Sequence, residues 1–191
     1  MIDKTLAILA GGKSSRMNYN NKALLLYKEK TFIENIINAG NSFIEKIIIA
    51  NNIDEYNKFN FKIYKDIFLD KGPLGGIHSA LKNAISDKVL CIACDMPLIS
   101  SETLNIIGSI KDDYEVLIPR INGRLQPMCA IYSKSLIPKI EKALINGEYK
   151  LQKFILTTNY KIIDNNYYSN LKEDYFSNIN TRKEYEMLEE I

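Results

Sequence analysis

The run Lys46-Ile47-Ile48-Ile49-Ala50 is the feature that most narrows the fold. Its centre is β-branched and apolar on both alternating faces, so a strand built from it has no side to give to water. Such a strand belongs inside a parallel sheet with helices on both faces. Leu6-Ala7-Ile8-Leu9-Ala10 and Val89-Leu90-Cys91-Ile92-Ala93 have the same character. Helical signals separate these runs. Thr31-x-x-Glu34 is a capping-box pattern, Phe32, Ile33, Ile36 and Ile37 form an apolar stripe, and Gly40 closes the helix.

The rest of the chain continues the alternation. After the Asn51-Asn52 turn, a short helix is expected over 54–59, a strand from Phe61 to Tyr64, a loop from Asp66 to Gly76 and a helix from Ile77 to Ala84. Ser100 or Ser101 caps a helix reaching about Lys111. Val116-Leu117-Ile118 is a further strand, and Asn122-Gly123 is a hairpin signal. The strand from about Gln126 to Tyr132 therefore enters antiparallel. Helices are expected from Ser135 to Asn146 and from Leu151 to Leu156, then a strand from Tyr160 to Ile163 and a tyrosine-rich loop from Asn165 to Asp174. Thr181-x-x-Glu184 opens the last helix. The pattern predicts an α/β fold: a three-layer α/β/α sandwich, mostly parallel, with a late antiparallel strand. With 191 residues and no repeat or linker, a single domain over 1–191 is expected.

Composition excludes several classes. A net charge of +2 without a basic run gives no footprint for nucleic acid. No apolar stretch approaches the roughly 20 residues of a membrane span. The first one stops at Gly11, too short for a signal peptide, so a cytoplasmic protein without a membrane partner is expected. Three cysteines make no disulfide framework. Cys91 and Cys94 form a CxxC, but zinc would want a second pair of ligands and His78 is the only histidine. A redox pair usually opens a helix. Here an apolar run precedes the pair and Asp95-Met96-Pro97 follows it, as expected of two small residues around a strand end.

Two places carry chemistry. The first strand stops at Gly11-Gly12, then come Lys13, Ser14, Ser15, Arg16 and Met17, and Lys22 lies beyond. Paired glycines let the backbone approach a ligand, and free N–H groups with nearby cations suit a polyphosphate. It is not a Walker loop, because Ala7 stands where that motif has glycine, and no GxGxxG is present. Taken alone, the loop reads equally well as a tight turn. Asp95 follows the strand ending at Ala93, at the carboxyl end, where open α/β sheets place their sites. Taken alone, it reads equally well as a turn residue before Pro97.

Together these stretches resemble a known family. Leu9-Ala10-Gly11-Gly12-x-Ser14-x-Arg16-Met17, then Lys22-Ala23-Leu24-Leu25, is similar to the signature of the sugar-nucleotide and cofactor nucleotidyltransferases. Gly72-Pro73-Leu74-Gly75-Gly76-Ile77, Cys94-Asp95-Met96-Pro97 and Phe176-x-Asn178-Ile179-Asn180-Thr181 narrow the resemblance to the molybdenum cofactor guanylyltransferase family. It runs from Thr5 to about the last helix. This chain departs at Asn18, where the family usually has glycine, and at Ala50, where some relatives have asparagine; Asn52 is the candidate substitute.

The resemblance implies a Rossmann-like fold of the nucleotide-diphospho-sugar transferase type. It implies transfer of GMP from GTP to the molybdopterin cofactor, with Mg²⁺ as cofactor, pyrophosphate as leaving group and cofactor-delivery proteins downstream. Leu9, Ala10 and Gly11 would contact the nucleotide through main-chain groups, and Gly12 would admit a phosphate. Arg16 would grip the β- and γ-phosphates with its planar fork. Lys22 would neutralise triphosphate charge. Asp95 would bind nucleotide and Mg²⁺. Asp66 is the nucleotide-binding acid, with Asp70 as rival. Gly75 and Gly76 would line the base pocket or permit helix packing. Asn178 and Asn180 would face the second substrate or serve as caps beside Thr181, and Gln126 and Pro127 would stand on the pterin side. His78 receives no role, and Tyr167, Tyr168 and Tyr175 read as surface packing. A cytidylyltransferase, a nucleotide-binding protein without catalysis and a thiol redox protein are the competing classes. Cys94→Ser separates the last: little change in turnover is expected, and loss of function would favour thiol chemistry.

Overall fold

The computed structural model describes residues 1–11, 21–166 and 168–189. In chain order the strands and helices are β1 (Ile2–Leu9), β2 (Leu26–Tyr27), β3 (Lys30–Thr31), α1 (Phe32–Ala39), β4 (Phe43–Ile49), β5 (Lys62–Tyr64), α2 (Gly72–Asn83), β6 (Lys88–Ala93), α3 (Ser101–Ser109), β7 (Val116–Ile121), β8 (Arg124–Leu125), β9 (Cys129–Ser133), α4 (Ile137–Ile145), α5 (Leu151–Ile155), β10 (Tyr160–Asp164) and α6 (Arg182–Glu189). The main sheet runs β10-β7-β9-β6-β1-β4-β5, with β8 paired to β7, and β2 and β3 form a separate hairpin. β1 is parallel to both β4 and β6, whereas β9 is antiparallel to β6 and β7. The expected three layers and late reversed strand are both present.

Alternation along the strands divides the core. Leu6 and Ile8 face α1 and α3, where they meet Ile33, Ile36, Leu104 and Ile107. Ala7 and Leu9 face α2, α4 and α5, in the layer of Leu74, Ile77, Ile140 and Phe154. Full burial of such an aliphatic side chain stabilises by roughly 1.5–3 kcal/mol, so the register of β1 is fixed by both layers at once. Cys91 lies in the second layer and Cys94 packs against the first, so this CxxC straddles the sheet.

Several boundaries differ from the sequence reading. β1 begins at Ile2 rather than Leu6, because its polar residues find distant partners. Lys4 Nζ is buried and donates to the Gly108 carbonyl at 2.8 Å, and Thr5 Oγ1 donates to Glu45 Oε2 at 2.8 Å. The 66–76 loop is shorter than expected, since α2 starts at Gly72 with Pro73 in its first turn, a position where proline lacks nothing the helix needs. Within the expected tyrosine-rich loop, a 3₁₀ helix begins at Glu173 and runs to Phe176. Ser100, not Ser101, caps α3 by accepting from the Thr103 N–H at 3.1 Å.

The α1 box is built as the sequence predicts. The Thr31 N–H donates to Glu34 Oε2 at 2.7 Å, and the Glu34 N–H donates to Thr31 Oγ1 at 3.4 Å. The Thr31 side chain, then its backbone, hold the Glu34 carboxyl below its ordinary pKa. A lowered carboxyl pKa stabilises the fold above the unfolded value and ceases to do so as pH falls through the folded one. Thr31→Ala should cost about 1 kcal/mol at neutral pH, read as a lower urea midpoint at unchanged slope. The gap between the unsubstituted chain and Glu34→Gln should narrow below about pH 4, the ordinary glutamate range.

Candidate active site

β1, β4 and β6 end at one level. Leu9 is in register with Ile49 on one side and Ala93 on the other. Beyond that level the three exits remain tied: the Ala10 N–H donates to the Ile49 carbonyl at 2.8 Å, and the Cys94 N–H to the Leu9 carbonyl at 3.1 Å. Over these ends lies a cavity of about 310 Å³ whose wall includes Leu9, Ala10, Gly11, Lys22, Asp66 and Asp95. Gly11 and the Asp95 carboxylate thus meet at one place. Gly72, Pro73 and Gly76 bring the N-terminal turn of α2 to the same wall. The free N–H groups and positive dipole end of such a turn favour an anion.

Lys22 is placed by its neighbours. Asn21 caps the short 3₁₀ helix Lys22–Leu24 by accepting from the Ala23 N–H at 3.1 Å. Asn21 Nδ2 also donates to the hydroxyl of buried Tyr56 at 2.7 Å, and that hydroxyl donates to the Ala10 carbonyl at 3.3 Å. Tyr56 therefore joins the exit of β1 to the residue before Lys22. Burial raises its hydroxyl pKa and keeps it a neutral donor. Lys22 Nζ donates to Asn180 Oδ1 at 2.9 Å. Asn180 is held in turn, since the Ile179 N–H donates to the Asp95 carbonyl at 2.9 Å and Glu184 Oε2 accepts from the Asn180 N–H at 2.7 Å. Tyr27, Phe32, Ile179 and Leu188 form a small apolar cluster that docks this C-terminal segment on the body.

Both acids of the cavity are electrostatically costly. Burial raises the Asp95 pKa, and the nearby Lys22 ammonium pulls it part of the way back. Burial also raises Asp66, opposed by a hydrogen bond from Asn51. Among the described residues, Oδ1 of each acid is buried without a hydrogen-bond partner. Buried acceptors without partners, on two side chains that line one cavity, are better suited to a cationic or donor-bearing ligand than to an empty protein.

The remaining candidates from the motifs fall elsewhere. Gly12 and Arg16, together with Lys13 and Tyr167, lie outside the described residues. Asp66 rather than its rival Asp70 lines the cavity. Asn52 donates to Glu55 Oε1 at 2.5 Å and is not part of the cavity wall. Gly75 has a packing role, for a Cβ there would sit 2.9 Å from the Phe68 carbonyl oxygen. Asn178 and Asn180 part company: Asn178 lines a second cavity of about 660 Å³ with Arg124, Gln126 and Gln152. His78 is buried between Phe68 and Glu141, remote from both acids in role and partners. Sequence reasoning missed Asn51, Asn21 and Tyr56. The usable signal was position for Asn51, just past a buried strand's carboxyl end.

The MobA-like NTP transferase domain matches residues 6–161. A protein named probable molybdenum cofactor guanylyltransferase from Clostridium perfringens (strain 13 / Type A) is 50% identical over 98% of this chain and 97% of its own. One of the same name from Carboxydothermus hydrogenoformans is 38% identical over 98% and 96%. Among solved structures, molybdopterin-guanine dinucleotide biosynthesis protein A from Archaeoglobus fulgidus superposes with a TM-score of 0.78 at 23% identity, covering 97% of each chain. A nucleotidyl transferase from Methanothermobacter gives 0.73 at 19%, covering 97% of this chain and 95% of that one. At these identities the two structures support the fold.

Because Asp95 is buried with its pKa raised, its charge opposes folding at neutral pH. A raised carboxyl pKa gives stability that is present below the unfolded value and lost as pH rises through the folded one. Asp95→Asn should therefore raise the thermal midpoint of the ligand-free protein by ~2–4 °C, the equivalent of about 1 kcal/mol. Differential scanning fluorimetry reads this directly. An unchanged or lower midpoint would show that the carboxylate is fully compensated.

Proposed function

The chain belongs to the MobA-like NTP transferase family, and on that premise we propose that it transfers GMP from GTP to the molybdopterin cofactor. It is a nucleotidyltransferase. Its full-length similarity to proteins named molybdenum cofactor guanylyltransferase supports the choice of both substrates. The observation that carries the site assignment is the convergence of Gly11, Lys22, Asp66 and Asp95 on one cavity at the strand ends.

In this reaction an oxygen of the acceptor's phosphate attacks the α-phosphorus of GTP. The bond from that phosphorus to the β-bridging oxygen breaks, and pyrophosphate leaves. No covalent enzyme intermediate is required, so catalysis rests on alignment and charge neutralisation. Main-chain groups of Leu9, Ala10 and Gly11 hold the nucleotide, and the α2 N-terminus favours its negative charge. Lys22 neutralises the triphosphate, and Asn180 keeps its ammonium aimed at the cavity. Gly12 and Arg16 complete the phosphate grip in our reading, on the family resemblance alone. Asp66 accepts from the nucleoside half.

Asp95 fits a divalent cation, since its buried Oδ1 has no partner among the described residues. A hard carboxylate oxygen suits Mg²⁺, an ion that keeps waters and substrate phosphates in its shell. When bound, it supplies charge neutralisation at the phosphates. The second cavity, with Arg124, Gln126 and Asn178 in its wall, is the place we assign to the pterin half of the acceptor. We further propose that the protein acts in the cytoplasm as a single domain and passes its product to a cofactor-delivery protein.

The test is pyrophosphate release and dinucleotide formation from GTP, molybdopterin and Mg²⁺, followed by chromatography. GTP should be used well ahead of CTP, and a chelator should abolish turnover. Asp95→Ala and Lys22→Ala should each lower turnover by about 10²-fold or more, the usual loss for one preorganised charge partner. Full turnover in both variants would overturn the site. Preference for CTP would overturn the guanylyl assignment and leave the fold and chemistry standing.

A further inference from the structure

Asn51 lies two residues past the end of β4 and clasps residue 66 at two points. Its Nδ2 donates to Asp66 Oδ2 at 3.0 Å, and its Oδ1 accepts from the Asp66 N–H at 3.0 Å. One planar amide thus ties the carboxyl ends of β4 and β5 and engages one oxygen of the carboxylate. The other oxygen, Oδ1, is buried in the cavity wall without a partner among the described residues. Two glycines flank the arrangement. A Cβ on Gly11 would stand 3.3 Å from Asp66 Oδ2 and 3.8 Å from Asn51 Nδ2, and one on Gly76 would stand 3.7 Å from Oδ1.

A carboxylate with both oxygens free rotates, and either can meet a ligand. Here one oxygen is engaged before any ligand arrives. Loss of rotamer freedom is then spent in folding rather than in binding, which strengthens the contact that remains. We propose that Asn51 is a positioning residue for nucleotide recognition: it fixes the Asp66 carboxylate in one orientation for a donor group on the nucleoside half of GTP. This rests on the assignment of the cavity to GTP. Asn51 acts through Asp66 and makes no contact of its own with the nucleotide.

The claim is tested by a double-mutant cycle on GTP affinity, measured by calorimetry on the full chain. Asp66→Ala should weaken GTP binding by 10-fold or more, in the range of a hydrogen bond to a charged group. Asn51→Ala should weaken it by about 5–10-fold, and should raise KM for GTP more than it lowers kcat. In the Asp66→Ala background, Asn51→Ala should have no further effect, because its target is gone. Asn51→Asp keeps the acceptor for the Asp66 N–H but loses the donor to Oδ2, and should be at least as weak as Asn51→Ala. Asn52→Ala, whose side chain bonds Glu55 instead, is the control and should bind GTP normally.

Additive effects of Asn51 and Asp66, or full affinity in Asn51→Ala beside weakened binding in Asp66→Ala, would overturn the positioning role while sparing the GTP site. Weakening in Asn52→Ala equal to that in Asn51→Ala would assign the effect to the turn as a whole and also overturn it. Unchanged affinity in Asp66→Ala would instead overturn the assignment of Asp66 to the nucleotide, and the clasp's role with it.

Discussion

Leu9 is held between Ile49 and Ala93 by parallel strand pairing, and the site depends on that register. Because the three strands finish together, the chain segments leaving them emerge side by side. Those segments carry Gly11, Asn51 and Asp95. A slip of one residue would turn Leu9 to the opposite face and exchange the two apolar layers. The core that fixes the strands therefore also fixes the spacing of the groups above them. Nothing at the cavity needs its own rigid framework; it inherits one.

Burial at this place is electrostatically expensive, and the chain offsets it in two different ways. Asp95 has a cation nearby, Lys22, which is itself engaged by the Asn180 amide. Asp66 has a neutral amide, Asn51, which removes the need of one oxygen only. Among the described residues, each acid leaves one buried oxygen without a partner. Partial compensation of this kind is what a ligand site requires, since a fully satisfied carboxylate has little left to offer.

The sequence was most readable where structure is decided locally. The apolar runs at 6–10, 46–50 and 89–93, the Thr31–Glu34 box and the Asn122-Gly123 turn all carry their reason within a few residues. Ile2 to Thr5 was not readable as strand, because Lys4 and Thr5 are satisfied by Gly108 and Glu45, far away in the chain. The start of α2 was hidden by Gly72-Pro73 and Gly75-Gly76, residues of poor helix propensity that are tolerated here by a first-turn proline and by close packing on Phe68. The meeting of Asp66, Asp95 and Lys22 at one cavity was legible through a resemblance that covers several motifs at once. Asn51 and Tyr56 were not, because their significance is purely a matter of which backbone they reach across space. The divergence of Asn178 from Asn180 likewise needs the path of the segment, which no residue pattern encodes.

The C-terminal segment is more than a wrapping for the sheet. Ile179 bonds the backbone of Asp95, and Asn180 receives the ammonium of Lys22, so residues 158 positions apart in the chain meet in one place. A chain still being synthesised can assemble β1, β4 and β6 well before that amide has left the ribosome. Such a nascent form, or one clipped ahead of Ile179 by a protease, would carry every strand of the main sheet while the lysine at position 22 lacked its guide. Lys22 thereby gains its partner only once residues 179 and 180 have been made.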